Sequence, residues 1–164
     1  MTQPLLDGVH HLKVPASNLS RSLDWYEKLF GVARLAEFDH IGRSGRVYAH
    51  ILDVPGVGLF EVREAPITAG NMSGFDPVTY AVKDRRDLAA WAEHLDNLGI
   101  ENSGEIRGGI GWLLVFCDPD GMAIRIYTRQ QHELDIAGAD TDSHWLRLAP
   151  DSSIVDSDVP PADG

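Results

Sequence analysis

A chain of 164 residues holds one domain or two small intertwined modules, and its 43% hydrophobic content supplies a core for either. The formal net charge of −11 argues against nucleic acid or an anionic membrane as the main partner, and leaves small-molecule ligands open. A single cysteine, Cys117, excludes an intrachain disulfide framework and is read as structural. The start MTQPLLDGVHH has neither the basic residues nor the apolar run of a signal peptide, and no segment approaches the ~20 apolar residues of a membrane helix, so a cytoplasmic protein is expected.

The first predicted strand is Gly8–Val14. Asn18 is a suitable N-cap for a helix whose Leu19, Leu23, Tyr26 and Phe30 fall on one face, and Gly31 stops it. Strand-like runs follow at Ala33–Phe38, Arg46–Val54 and Gly58–Glu64, the last two joined by a VPGVG turn. The order is β-α-β-β-β.

The same order then repeats. Asp76–Val82 reads as a strand, and Asp84 caps a helix with Leu88, Trp91, Leu95 and Leu98 on one face, ended by Gly99. Runs at Ile100–Ile106, Gly111–Phe116 and Met122–Tyr127 complete the second copy, with a type I turn at Asp118-Pro119-Asp120-Gly121. Phe60 and Ile124 occupy the same place in the two copies. The expected organisation is an N-terminal extension (1–7), a first module (8–66), a second module (74–132) and an Asp-, Ser- and Pro-rich tail (133–164), with Trp145 as the tail's anchor.

The segments HHLKVPASNLSRSLDWYEKLFGV, GLFEVRE, AVKDRRDLAAWAEHLDNLGI and VFCDPDGMAIRIY resemble the vicinal oxygen chelate superfamily. This group holds glyoxalase I, bleomycin-resistance proteins, fosfomycin-resistance enzymes and extradiol dioxygenases. The resemblance implies an α+β fold: two tandem βαβββ modules whose curved mixed sheets enclose a ligand cavity. It also implies a homodimer and a small-molecule ligand. Family enzymes place a divalent metal in that cavity, held by His or Gln, Glu, His and Glu from the first and last strands of each module. Carried onto this chain, the four positions are His11, Glu61, Pro77 and Arg125.

Only two of the four can ligate. Proline has no donor side chain, and a guanidinium repels a divalent ion. No cofactor is therefore expected, with Fe, Mn, Ni or Zn as the alternative. Arg125 is read as standing in for the metal's charge, either pairing with Glu61 or clamping an anionic group of the substrate, or as a side chain reaching from the rim to solvent. Glu61 is read as a general base, or as an outward solvated carboxylate. His11 is read as a second acid–base group, or as a histidine bonded to backbone. His50 joins His11 and Glu61 in a two-His, one-carboxylate set if it faces inward. Trp112, after a glycine-rich loop at Arg107–Gly111, stacks on a ligand or packs in the core. These groups suit proton-transfer chemistry of isomerase, epimerase or lyase type on a small polar or anionic substrate. The alternatives are a drug- or metabolite-sequestering binding protein and a metal-dependent dioxygenase- or glyoxalase-like enzyme.

Overall fold

The computed structural model describes residues 4–146; positions 1–3 of the N-terminal extension and the tail beyond Leu146 lie outside the described residues. β1 (His11–Ala16) leads into α1 (Leu19–Phe30), then β2 (His40–Ile41), β3 (Val47–Val54) and β4 (Gly58–Glu64). The second copy runs β5 (Thr79–Val82), α3 (Arg85–Asn97), β6 (Ile106–Arg107), β7 (Gly111–Cys117) and β8 (Ala123–Gln131). Between them lies a short helix, α2 (Pro66–Asn71).

Each copy forms a four-stranded mixed sheet, ordered β1-β4-β3-β2 and β5-β8-β7-β6, and the two are not closed into a barrel. In each, the first strand runs parallel to the last, and the last runs antiparallel to its predecessor. The chain is thus α+β with two tandem modules.

Local chemistry places the helices. The Asn18 side chain accepts from the Arg21 N–H, and Asp84 accepts from the N–H groups of Arg86 and Asp87, which satisfies amides that open helix ends leave unpaired. Gly31 and Gly99 end α1 and α3 with φ of 65° and 68°, a left-handed step that suits glycine.

One apolar cluster serves both modules. Leu23, Tyr26 and Leu29 of α1, Phe60 and Val62 of β4, Leu88 and Leu95 of α3, and Leu114, Phe116 and Ile126 of the second sheet all belong to it. A polar joint locks the modules together. Tyr26 Oη donates to Asp118 Oδ2 (2.9 Å), and Asp118 Oδ1 accepts from the Asp120 and Met122 amides, both at 2.9 Å. Asp120 in turn accepts from the Ser17 amide (2.8 Å), the Ser17 hydroxyl and Arg21, at the start of α1. The DPDG turn of one module is thereby fastened to the helix of the other.

Two predicted strands shrink. Ala33–Phe38 is an isolated Arg34–Leu52 bridge followed by a 3-10 turn at Ala36–Phe38, and the true β2 begins at His40. The Arg34 amide is taken by Glu27 Oε1 at 2.7 Å, which removes a ladder donor. Ile100–Ile106 reduces to an Asn102–Phe116 bridge and the short β6. α2 has no counterpart in the sequence reading, because six residues carry too little periodicity to register.

Gly121 combines a left-handed backbone with a close neighbour. Its φ is 84°, and a Cβ there would lie 2.6 Å from Ser73 Oγ. Gly121→Ala is expected to cost about 2 kcal/mol of unfolding free energy, read from urea denaturation, because strain and contact act together. A loss below about 0.5 kcal/mol would refute this reading of the turn.

Candidate functional site

Strand alternation sorts the side chains of the first sheet. Leu12, Val14, Phe60, Val62 and Leu52 face the helices and enter the core. The opposite face carries His11, Lys13, Glu61, Arg63 and, from β2, His40. Lys13 pairs with Glu61 across the parallel β1–β4 ladder.

Glu61 is the centre of this face. It is only 1% exposed, and a buried carboxylate is retained only where it is paired. Arg63 Nε donates to its Oε1 at 2.5 Å, and Lys13 Nζ lies 3.5 Å from Oε2. His11 Nε2 stands 3.9 Å from Oε2, and His40 Nδ1 3.7 Å from Oε1. The His40 Nδ1 atom is buried and has no hydrogen-bond partner. The other ring nitrogen of His11, Nδ1, shares a 3.0 Å hydrogen bond with His10 Nδ1, which leaves Nε2 turned to the carboxylate. Tyr48 supports the rim, with the Arg63 guanidinium 5.5 Å from its ring centroid and the His40 ring at 5.7 Å. Two permanent cations and two imidazoles thus face one carboxylate, a local excess of positive charge on an acidic chain.

The second sheet repeats the register but not the chemistry. Thr79 pairs with Arg125 as Lys13 pairs with Glu61, and Val115 pairs with Arg125 as Ile51 pairs with Glu61. Arg125 therefore occupies the position equivalent to Glu61, and Pro77 the position equivalent to His11. Arg125 pairs with Asp76 at 2.9 Å and not with Glu61, which corrects the expected Glu61–Arg125 pair: Asp76, just before β5, is the carboxylate within its reach. Residues 132–146 cover this face. The amides of His132, Asp135 and Asp140 donate to carbonyls of Ile110, Gly109 and Arg107, and Arg107 pairs with Asp135 at 2.9 Å. Trp145 and Leu146 then pack on Ile106, Leu113, Val115 and Ala123.

The expectation for His50 is corrected, and of the two readings of Trp112 the packed one is found. His50 pairs with Val62, so it lies on the helix side of the first sheet, where Asp39 holds its Nδ1 at 2.7 Å. It cannot join His11 and Glu61. His40, reached through the Gly42–Arg46 turn, stands there in its place. Trp112 packs against the shared core, with the Arg85 guanidinium 4.7 Å over its ring and His132 against it edge-on, so its face is not offered to a ligand at Glu61.

The residues present do not fit the family's metal. Of four ligand positions only His11 and Glu61 carry donors, and both Glu61 oxygens already face cations. Among the described residues no group of three or more His, Cys, Asp or Glu side chains is arranged to hold a metal ion.

A second feature lies on the other side of the sheets. A cavity of about 550 Å³ opens between the modules, lined by Phe30, Tyr80, Trp91, Phe116 and Ile126, with Arg129 also in its wall.

Residues 8–126 match the family described as the glyoxalase/bleomycin resistance protein/dioxygenase superfamily, and the chain belongs to it. Its solved structural relatives include a glyoxylase/bleomycin resistance protein/dioxygenase domain from Frankia sp. EAN1pec, 21% identical, covering 76% of this chain and 93% of that one with a TM-score of 0.61. An antibiotic-binding protein from Streptomyces sp. CB03234 is 22% identical, covering 77% and 98% with a TM-score of 0.59. A lactoylglutathione lyase from Agrobacterium tumefaciens is 13% identical, covering 76% and 95% with a TM-score of 0.56. At these identities the likeness is one of fold. No curated protein matches the sequence. Among the described residues no helix is long and apolar enough to cross a membrane.

Proposed function

We propose that this protein acts on a small anionic molecule held on the helix-free face of the first sheet, by proton transfer and without a bound metal. The observation that carries the reading is Glu61, buried yet faced by Lys13, Arg63, His11 and His40 within 4 Å. Lys13 and Arg63 are half-exposed, so their charged ends can reach an incoming carboxylate or phosphonate while remaining near Glu61. They take the clamp role that the sequence reading gave to Arg125.

His11 and His40 are the acid–base pair in this reading. A general base must lie within reach of the proton it takes, and imidazole titrates nearest neutrality. The unpartnered His40 Nδ1 is the nitrogen with capacity to spare. Glu61 holds the two cations beside both rings. Isomerisation, epimerisation or elimination next to an anionic group needs only these parts: a proton leaves carbon to one imidazole, the anion stabilises against Lys13 and Arg63, and the proton returns from the other imidazole or a leaving group departs.

The test is solvent-deuterium incorporation, followed by proton NMR, across α-substituted carboxylates and phosphonates, with chelator-treated protein. Exchange at carbon is expected in at least one compound class. It should fall about 100-fold or more in His11→Gln and His40→Gln. Saturable binding of these anions without exchange would replace catalysis with sequestration. Exchange that disappears with chelator and returns with a metal would overturn the metal-free reading.

A further inference from the structure

The cavity between the modules is separate from the Glu61 face. Leu12 and Phe116, which line it, belong to the shared core on the helix side of the sheets, whereas Lys13 and Glu61 point the other way. Its volume of about 550 Å³ lies within the ~300–1,000 Å³ range of sites for small organic molecules. Its wall is mainly aromatic and aliphatic, with rings from α1 (Phe30), α3 (Trp91), β5 (Tyr80) and β7 (Phe116).

Two polar groups in that wall have no partner. Arg129 is exposed and makes no ion pair or side-chain hydrogen bond among the described residues, so its charge stands where the cavity meets solvent. The Tyr80 hydroxyl likewise makes no hydrogen bond. Burial pushes this phenol up to about 12, so it stays a neutral O–H donor.

We propose that this cavity is a second ligand site, for an amphipathic organic anion whose rings lie among Phe30, Tyr80, Trp91 and Phe116 and whose anionic group meets Arg129. Aromatic walls favour planar ring systems through offset and edge contacts. An unpaired guanidinium selects a carboxylate, sulfonate or phosphate, and the Tyr80 hydroxyl adds a directed hydrogen bond. The inference does not depend on catalysis at Glu61.

The test uses two probes with one ring system, 8-anilinonaphthalene-1-sulfonate and the uncharged N-phenyl-1-naphthylamine, titrated by fluorescence against folded protein. One sulfonate probe per chain is expected, bound about tenfold more tightly than the neutral one. Arg129→Ala should remove that tenfold difference and leave the neutral probe's affinity unchanged. Trp91→Phe should remove most of the tryptophan-sensitised probe emission, which locates the ligand. Lys13→Ala should change neither probe. Near-ultraviolet circular dichroism of each variant checks that the fold is intact. Equal affinity of the two probes for the parent protein would overturn the proposal. So would saturable binding of neither, or a loss of sulfonate affinity in Lys13→Ala instead of Arg129→Ala, which would put the anion at Glu61.

Discussion

A Lys13→Ala/Arg63→Ala double variant is expected to lose about 3 kcal/mol of stability, whereas Glu61→Gln is expected to lose no more than about 1 kcal/mol. The asymmetry comes from burial. Glu61 is 1% exposed, while the side chains of Lys13 and Arg63 are 49% and 38% exposed. Removing both cations strands a carboxylate that water cannot reach, and two imidazoles remain to offset it. Removing the charge of Glu61 strands two cations that can swing into solvent. The triple variant Lys13→Ala/Arg63→Ala/Glu61→Gln should therefore recover most of the loss, giving a coupling energy that a cycle of variants measures directly. For a chain of this size the double variant should melt roughly 6–12 °C lower. Urea midpoints at constant slope are the cleaner reading. Additive losses in the triple variant would mean that the charges do not interact, and the central feature of the site would fail.

Asp118→Ala is the second large effect, at about 3 kcal/mol, because three donors lose their acceptor together: Tyr26 Oη and the amides of Asp120 and Met122. Asp118→Asn keeps an oxygen for the amides and should cost about 1 kcal/mol or less near neutrality. The two variants also separate through pH. Burial pushes the Asp118 carboxyl above its ordinary value, against the pull of the Tyr26, Met122 and Asp120 hydrogen bonds. A carboxyl raised on folding takes up protons more readily in the native state. Its contribution is fully present below the unfolded value of about 3.9 and is lost as pH rises through the folded value. Asp120 has the opposite sign. Burial opposes its ionised form, but the Ser17 and Arg21 hydrogen bonds outweigh that and hold it below the ordinary range. Its contribution is lost only as pH falls through the lowered value. The stability of the parent protein relative to Asp118→Asn should thus improve from about pH 7 down to about pH 4. A difference that stays flat across that window would show that Asp118 does not titrate as described.

The sequence by itself determined the parts whose cause is local. Asn18 and Asp84 start helices because their side chains accept amide protons two or three residues on, and Gly31 and Gly99 stop them because the backbone turns left-handed there. The strand Gly58–Glu64 follows from alternation and a glycine turn, and its bounds match the structure. The repeat was equally legible: it put Arg125 opposite the role of Glu61, and the registers of the two sheets agree. The period of two also contains Lys13 and Arg63, each two residues from His11 or Glu61 on the same strand.

Tertiary structure decided the rest, because it depended on register and on residues far apart in the chain. The choice between His40 and His50 turned on strand register: His50 pairs with Val62 on the helix side, whereas His40 pairs with Ala49 on the face of Arg63, and a shift of one residue moves a side chain to the other face of a sheet. The partner of Arg125 was settled by the placement of Asp76 just before β5, and the cover of the second sheet by backbone hydrogen bonds from residues 132–140 to the β6–β7 hairpin. The cavity beside Arg129 exists only where two modules, each complete in its own sheet, leave a space that their side chains do not fill. Packing of that kind is a property of volumes in three dimensions, and no pattern along one chain encodes it directly.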